Sequence, residues 1–195
     1  MTKGEETRQF IIERSAPIFN TKGIAATAMS DIMAATKLSK GSLYVHFENK
    51  DVLADAVVDY NMDQLAKKID AAIARHTEAK AKLLAYIDTV KDAVNHPMKG
   101  GCPILNFGME ADDTNHRLRK KVNGRIQGVL KRITNIIKDG IKNGEFKSTW
   151  NYRDFATIMF AMIEGGVMIS RVAGNNSAME AIARQLEKMI AEQTA

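Results

Sequence analysis

Residues 26–51, ATAMSDIMAATKLSKGSLYVHFENKD, constrain the fold more tightly than any other stretch of the chain. Met29, Ile32 and Ala35 recur at three-residue spacing, which gathers them on one face of a short helix. Thr27 stands where a hydroxyl would cap that helix. Thr36, Lys37 and Leu38 leave room only for a tight turn. Ser39 is placed to cap a second short helix, residues 40–46, in which Leu43 and Phe47 lie four apart on the inward side. Lys40, Ser42, Tyr44 and His46 are left on the outside. This is the layout of a helix-turn-helix, and a helix with such a polar outer face fits the major groove of duplex DNA.

The rest of the chain reads as helix. With 3 prolines, 6% aromatic residues and no alternating run of β-branched side chains, the 195 residues give no credible sheet. The first helix is expected over residues 5–22, burying Ile11, Ile12, Ile18 and Phe19 and stopped by Gly23. After the two helices of the motif, Asn49 caps a long fourth helix to about residue 76, with Val52, Leu53, Ala56, Val57 and Tyr60 inward. Leu83, Ile87, Val90 and Val94 mark a fifth helix ending before Pro97. HPMKGGCP is the clearest break, and a sixth helix restarts at Pro103 and runs to about residue 112. A basic seventh helix follows; after the turn KNGEFKSTWN come two more, at about 151–173 and 177–193. The expected fold class is therefore all-α, with nine helices in two domains, 1–50 and 51–195.

Charge alone misleads. Residues 1–50 hold seven Lys or Arg and five Asp or Glu, whereas residues 115–147 hold ten and two. The second run faces solvent on an amphipathic helix, since Leu118, Val122, Ile126, Val129, Ile133, Ile137 and Ile141 supply the complementary apolar stripe. A few well-placed cations matter more for DNA than the sum over a domain.

The words LSKGSLYVHFENKDVL resemble the signature of the tetracycline-repressor (TetR) family, K-G-T-L-Y-x-H/Y-F followed by K-x-x-L. The approach from Thr7 through Phe19, Lys22 and Gly23 to Thr27 also follows that family's first helix and exit turn. About 50 residues carry the motif; the remainder is similar in length and helical character. The resemblance implies an amino-terminal DNA-binding domain, a carboxy-terminal helical domain for ligand binding and dimerisation, and a homodimer joined through its last two helices.

Carried onto matching positions, the resemblance implies DNA contacts at Thr27, Lys37, Ser39, Lys40, Gly41, Ser42, Tyr44, His46 and Lys50. Lys40 and Lys50 are expected at phosphates, with Lys40 also in reach of a guanine edge. Ser42 and Thr27 make short contacts, and Gly41 admits the DNA close to the backbone. Tyr44 lies against a sugar or a thymine methyl, or else packs in the core; His46 donates to a phosphate, or is an idle surface residue. Lys37 departs from the family pattern, which has glycine in a left-handed turn there; lysine costs about 1 kcal/mol, so either the turn is slightly altered or a phosphate contact compensates.

The carboxy-terminal part suggests an apolar cavity for an unknown small-molecule effector. Candidate lining residues are Cys102, Asn106, Phe107, Met109, Glu110 and Met162. Asn106 and Glu110 are four apart and share a face; the alternative for both is capping or a surface ion pair. Cys102 opens a helix, where its thiol would be activated, or is a small buried residue. The 11 methionines suit an adaptable interior, although such cores also occur without ligands. The eighth helix is apolar around much of its circumference and, with the ninth, suits a four-helix dimer bundle. Gly165 and Gly166 would admit another backbone or ease packing.

The four histidines are scattered, with no H-E-x-x-H, paired cysteines, phosphate loop or nucleophile elbow, so neither a metal nor another cofactor nor catalysis is expected. The lone cysteine and the amino terminus, MTKGEETRQF, point to a cytoplasmic protein without a membrane partner. The expected function is a ligand-responsive regulator on double-stranded operator DNA, most simply a repressor; the alternative is a helical small-molecule-binding protein that keeps the scaffold without binding operator.

Overall fold

The computed structural model describes residues 1–195. Nine helices form: α1 Lys3–Lys22, α2 Met29–Thr36, α3 Lys40–His46, α4 Lys50–Ile73, α5 Ala79–Val90, α6 Pro103–Ala111, α7 His116–Lys142, α8 Tyr152–Ala173 and α9 Ser177–Ala191. The only β pairing is an isolated bridge between Phe146 and Thr194. The helices divide between two compact units, residues 1–65 with 98–122 and residues 66–97 with 123–195.

In the first unit, α1 starts at a reciprocal cap: Glu5 N–H donates to the Thr2 hydroxyl at 3.3 Å and Thr2 N–H to the Glu5 carboxylate at 2.7 Å. It ends at Gly23, whose N–H still donates to Phe19 O at 2.9 Å and whose φ of 82° turns the following chain out of the helix. Ile11, Phe19, Ile32, Leu43, Leu53, Val57 and Phe107 are fully enclosed and form the unit's core. Burial at this level is worth about 1.5–3 kcal/mol for each large side chain. The expected inward face of α4 is shifted: Leu53, Ala54, Val57 and Val58 are buried, whereas Val52 is exposed. Val52 stands in the first turn, where its N–H donates to the Asn49 side chain at 2.9 Å, so Asn49 is the cap expected. Ile18 is only half-buried.

In the second unit, Glu145 caps α5 from a distant turn, accepting Ala79 N–H at 2.6 Å and Lys80 N–H at 3.3 Å. That helix stops at Val90, so Val94 lies beyond it and is exposed; its N–H donates to Asn176 Oδ1 at 3.0 Å instead of continuing the helix. The turn after α7 folds Phe146 against Trp150, and Trp150 against Phe155, each with ring centroids 4.8 Å apart. Gly140 is required there, because a Cβ would stand 2.4 Å from the Phe146 ring.

Helices α8 and α9 pack along their length. Ser170, buried in α8, accepts Met179 N–H at 3.0 Å, and Gly166 lies so close to α9 that a Cβ would meet Met179 Sδ at 2.7 Å. Gly165, its neighbour, faces open space. By length and composition α8 is also apolar enough to cross a membrane, yet Phe155, Met159, Ile163 and Val167 are turned into the unit's core.

Candidate nucleic-acid interface

Helix α2 begins one residue later than its sequence suggests, at Met29, and Thr27 does not cap it. Thr27 is 1% exposed and its hydroxyl donates to Gly23 O at 2.6 Å, which closes the turn after α1 and removes that hydroxyl from the surface. Asp31 does the capping instead, accepting Ala28 N–H at 3.0 Å and the Lys22 ammonium at 2.8 Å. Lys22 first, and then the Ala28 amide, hold the Asp31 carboxyl below its ordinary value.

The turn between α2 and α3 hinges on Lys37. Its φ of 60° and ψ of 20° are left-handed, as its departure from the family's glycine leads one to expect, and it is the one non-glycine residue with positive φ. Its N–H donates to Met33 O at 2.8 Å, closing α2, while its side chain is exposed. Ser39 caps α3 as expected, accepting Ser42 N–H at 3.2 Å. Leu43 and Phe47 are 1% and 3% exposed, so α3 is seated in the core by one face, and the Arg8 guanidinium lies 4.7 Å over the Phe47 ring.

The opposite face of α3 brings together Lys40, Gly41, Ser42, Tyr44 and His46. Lys40, Gly41 and Tyr44 are exposed, and Ser42 and His46 are half-exposed. Tyr44 is therefore not a core residue; Lys40 Nζ stands 5.9 Å from its ring centroid. The array offers an ammonium, two hydroxyls and an imidazole on a helix about 10–12 Å across, matching a major groove about 12 Å wide.

Lys50 departs from the phosphate role expected of it. Its ammonium donates to Ile24 O at 2.9 Å, Thr27 O at 3.1 Å and Ala25 O at 3.4 Å, so its three protons are directed at the turn between α1 and α2. The expected effector residues of α6 are likewise occupied. Asn106 Nδ2 donates to Asn20 O and Gly100 O, both at 3.0 Å, and to Asn20 Oδ1 at 3.2 Å. Asn20, buried at the end of α1, donates in turn to Lys99 O at 2.8 Å and Gly101 O at 3.0 Å. Glu110 accepts Ile24 N–H at 2.8 Å and Ala25 N–H at 2.7 Å. These two residues therefore join α6 to α1 and its exit turn, which is neither capping of their own helix nor a surface ion pair. GGC is packed against α1 as well: Gly100, φ 98°, has Asn20 O only 2.6 Å from where a Cβ would stand.

Of the other effector candidates, Met109 is 66% exposed, Phe107 is fully enclosed, Cys102 is buried and Met162 is half-buried in the second unit. The sequence reading missed an open groove of about 490 Å³ in the second unit, between the end of α4 and α5, lined by Arg75, His76, Leu84, Asp88 and Thr89 among others. It also passed over Val45, 81% exposed on α3. The available signal was its place four residues after Gly41 and off the Leu43 face.

Comparison with known proteins agrees with this geometry. Residues 11–57 match the model of bacterial regulatory proteins of the tetR family, and residues 79–186 match that of the tetracyclin repressor-like C-terminal domain. A TetR-family transcriptional regulator from Cytophaga hutchinsonii is 38% identical, covering 100% of this chain and 98% of its own, with a TM-score of 0.93. Another, from Chloroflexus aurantiacus, is 36% identical over the same shares with a TM-score of 0.94. Among curated relatives, the transcriptional regulator TtgR of Pseudomonas putida is 26% identical over 169 residues, 84% of this chain and 79% of TtgR. The repressor DhaR of a Mycobacterium species is 22% identical over 89% of this chain and 86% of DhaR. These relatives are transcription factors and not enzymes, and the chain belongs with them to the TetR family of helix-turn-helix transcriptional regulators.

Proposed function

We propose that the protein is a homodimeric repressor that binds double-stranded operator DNA through α3 and is released by a small molecule. Residues 1–50 are the reading head and residues 51–195 the ligand-binding and dimerisation part, a division supported by the two family matches. The observation that carries the reading is the outward array on α3, seated from behind by Leu43 and Phe47. Lys40, Lys37 and His46 take phosphates, Ser39 and Ser42 make short polar contacts, Tyr44 lies against a sugar or base, and Gly41 permits close approach. Thr27 and Lys50 act at one remove, by fixing the turn that positions α2 and α3.

Dimerisation through α8 and α9 is supported by the outer face of α8. Ile158, Met168, Ile169 and Val172 are 42%, 52%, 49% and 86% exposed, and open Gly165 lies in the same strip. Such an apolar strip suits a second copy, and the pair of reading heads would then meet successive major grooves. An effector that binds the DNA-incompetent spacing a hundredfold better would weaken operator binding by about 2.7 kcal/mol. With Asn106 and Glu110 held by α1, the buried Phe107 and Cys102 of the first unit favour an apolar effector. The site of action is the cytoplasm, where operator DNA is.

Fluorescence anisotropy on DNA from upstream of the protein's own gene, across a salt series, tests the DNA half. Specific binding that collapses in the double variant Lys40→Ala, Tyr44→Ala is expected. Salt-insensitive binding, or binding indifferent to the double change, would leave the scaffold as a small-molecule binder without an operator.

A further inference from the structure

Helix α3 carries its outward side chains in three rows, each of two residues one turn apart: Lys40 with Tyr44, Gly41 with Val45, and Ser42 with His46. The outer rows hold every hydrogen-bonding group. The middle row holds none. At Gly41 a Cβ would meet nothing nearer than Ser39 Oγ at 4.0 Å, so the backbone is bare, and one turn further Val45 stands 81% exposed. Among the large apolar side chains only Met1, at the chain's start, and Val172, on the apolar strip of α8, are more exposed. Nothing in the fold accounts for Val45: it packs on no core and lies on the side of α3 away from Leu43.

We propose that Val45 is a specificity-determining residue that reads the C5-methyl group of a thymine in the major groove. The proposal rests on the DNA-binding reading given above and adds the base that is recognised. Of the features that the four base pairs display in the major groove, the thymine methyl alone is apolar; the others are hydrogen-bond donors and acceptors that an isopropyl group leaves unsatisfied. Bare Gly41 lets the helix sink until the middle row meets the groove floor, while Lys40 and His46 on either side reach the phosphates. A β-branched side chain in a helix keeps essentially one rotamer, so the two Val45 methyls are held at one place and lose little freedom on contact. A cytosine at that position removes the methyl and presents an amino donor to an apolar surface.

The test uses the full-length protein and duplexes that it enriches itself from a random-sequence pool, with Val45→Ala carried through in parallel. The wild type is expected to enrich a thymine at one position of each half-site. Replacing that thymine by deoxyuridine, which removes only the methyl, is expected to weaken wild-type binding about four-fold per half-site. Val45→Ala, which withdraws the two γ-methyls, is expected to discriminate the thymine from the deoxyuridine duplex less than the wild type does and to weaken the thymine preference in selection. At an 81% exposed site the change should leave thermal unfolding unaltered, which separates loss of reading from loss of fold. If Val45→Ala keeps the wild-type discrimination between thymine and deoxyuridine, or no single replacement affects the wild type, the inference is overturned while DNA binding stands. If the protein enriches no sequence at all, the DNA-binding reading falls and takes this inference with it.

Discussion

The carboxylate of Glu110 accepts the backbone N–H of Ala25 at 2.7 Å, and its second oxygen accepts Ile24 N–H at 2.8 Å. A side chain of α6 thus sets the turn from which α2 and α3 are presented. Hydrogen bonds to an ionised acceptor are among the stronger ones, and Glu110→Ala is expected to destabilise the protein by about 2 kcal/mol in urea unfolding. Amide exchange at Ile24 and Ala25 should accelerate, with Glu110→Gln intermediate. Unchanged exchange at these two amides would show that the turn holds itself.

Lys50 and Lys40 separate structural from DNA-binding cations. Lys50→Met removes the donor to three carbonyls and is expected to cost about 1–2 kcal/mol of stability. The salt dependence of DNA binding should keep its slope. Lys40→Met should leave stability alone and make that slope shallower by about 0.9 for each protomer, or about 1.8 for a dimer on its operator. The reverse pattern in the two variants would return Lys50 to the phosphates.

Lys37 occupies a left-handed position that glycine adopts without steric cost. Lys37→Gly is expected to raise the melting temperature by about 2–4 °C, corresponding to about 1 kcal/mol. If the lysine is kept for a phosphate, the same variant binds DNA more weakly. A variant both less stable and unaltered on DNA would contradict each part.

The outer strip of α8 bears on assembly. Ile169→Lys combined with Val172→Lys places two charges on that strip and should convert a dimer to a monomer in light scattering, with helical content retained because both side chains are already exposed. A dimer that survives both changes must be joined elsewhere.

Asp31 gives an acid-side signature. Its carboxyl is held below its ordinary value by Lys22 and the Ala28 amide, so the charged form is favoured in the folded state. Its contribution is full above the ordinary carboxylate range and disappears as the pH falls through the lowered folded value. Asp31→Asn should therefore flatten the stability curve in the acid range, most visibly below about pH 4. An unchanged acid limb would mean that the Lys22 pair does not persist in solution.

Much of the fold was legible in local sequence, because its signals act over one or two turns. Ser39 lies three residues from the amide it caps, Gly23 ends a helix through its own φ, and Leu43 and Phe47 meet one turn apart. The strain at Lys37 was legible for the same reason. The roles of Asn106 and Glu110 were not, since their partners are 86 and 85 residues away and a helical face does not declare what it will touch. Thr27 and Lys50 misled by proximity to the motif: the first turns its hydroxyl back to Gly23, and the second folds its ammonium onto carbonyls 23 to 26 residues earlier.

By itself the order of residues determined nine helices, a reading helix and the family to which it belongs, because periodicity, caps and turn geometry are properties of neighbours along the chain. Tertiary structure decided which polar groups remain available for DNA or ligand. A hydrogen-bonding group has a limited number of directions, and only the packing of distant segments reveals that Lys50, Asn106 and Glu110 have turned theirs inward while Val45 has been left outside.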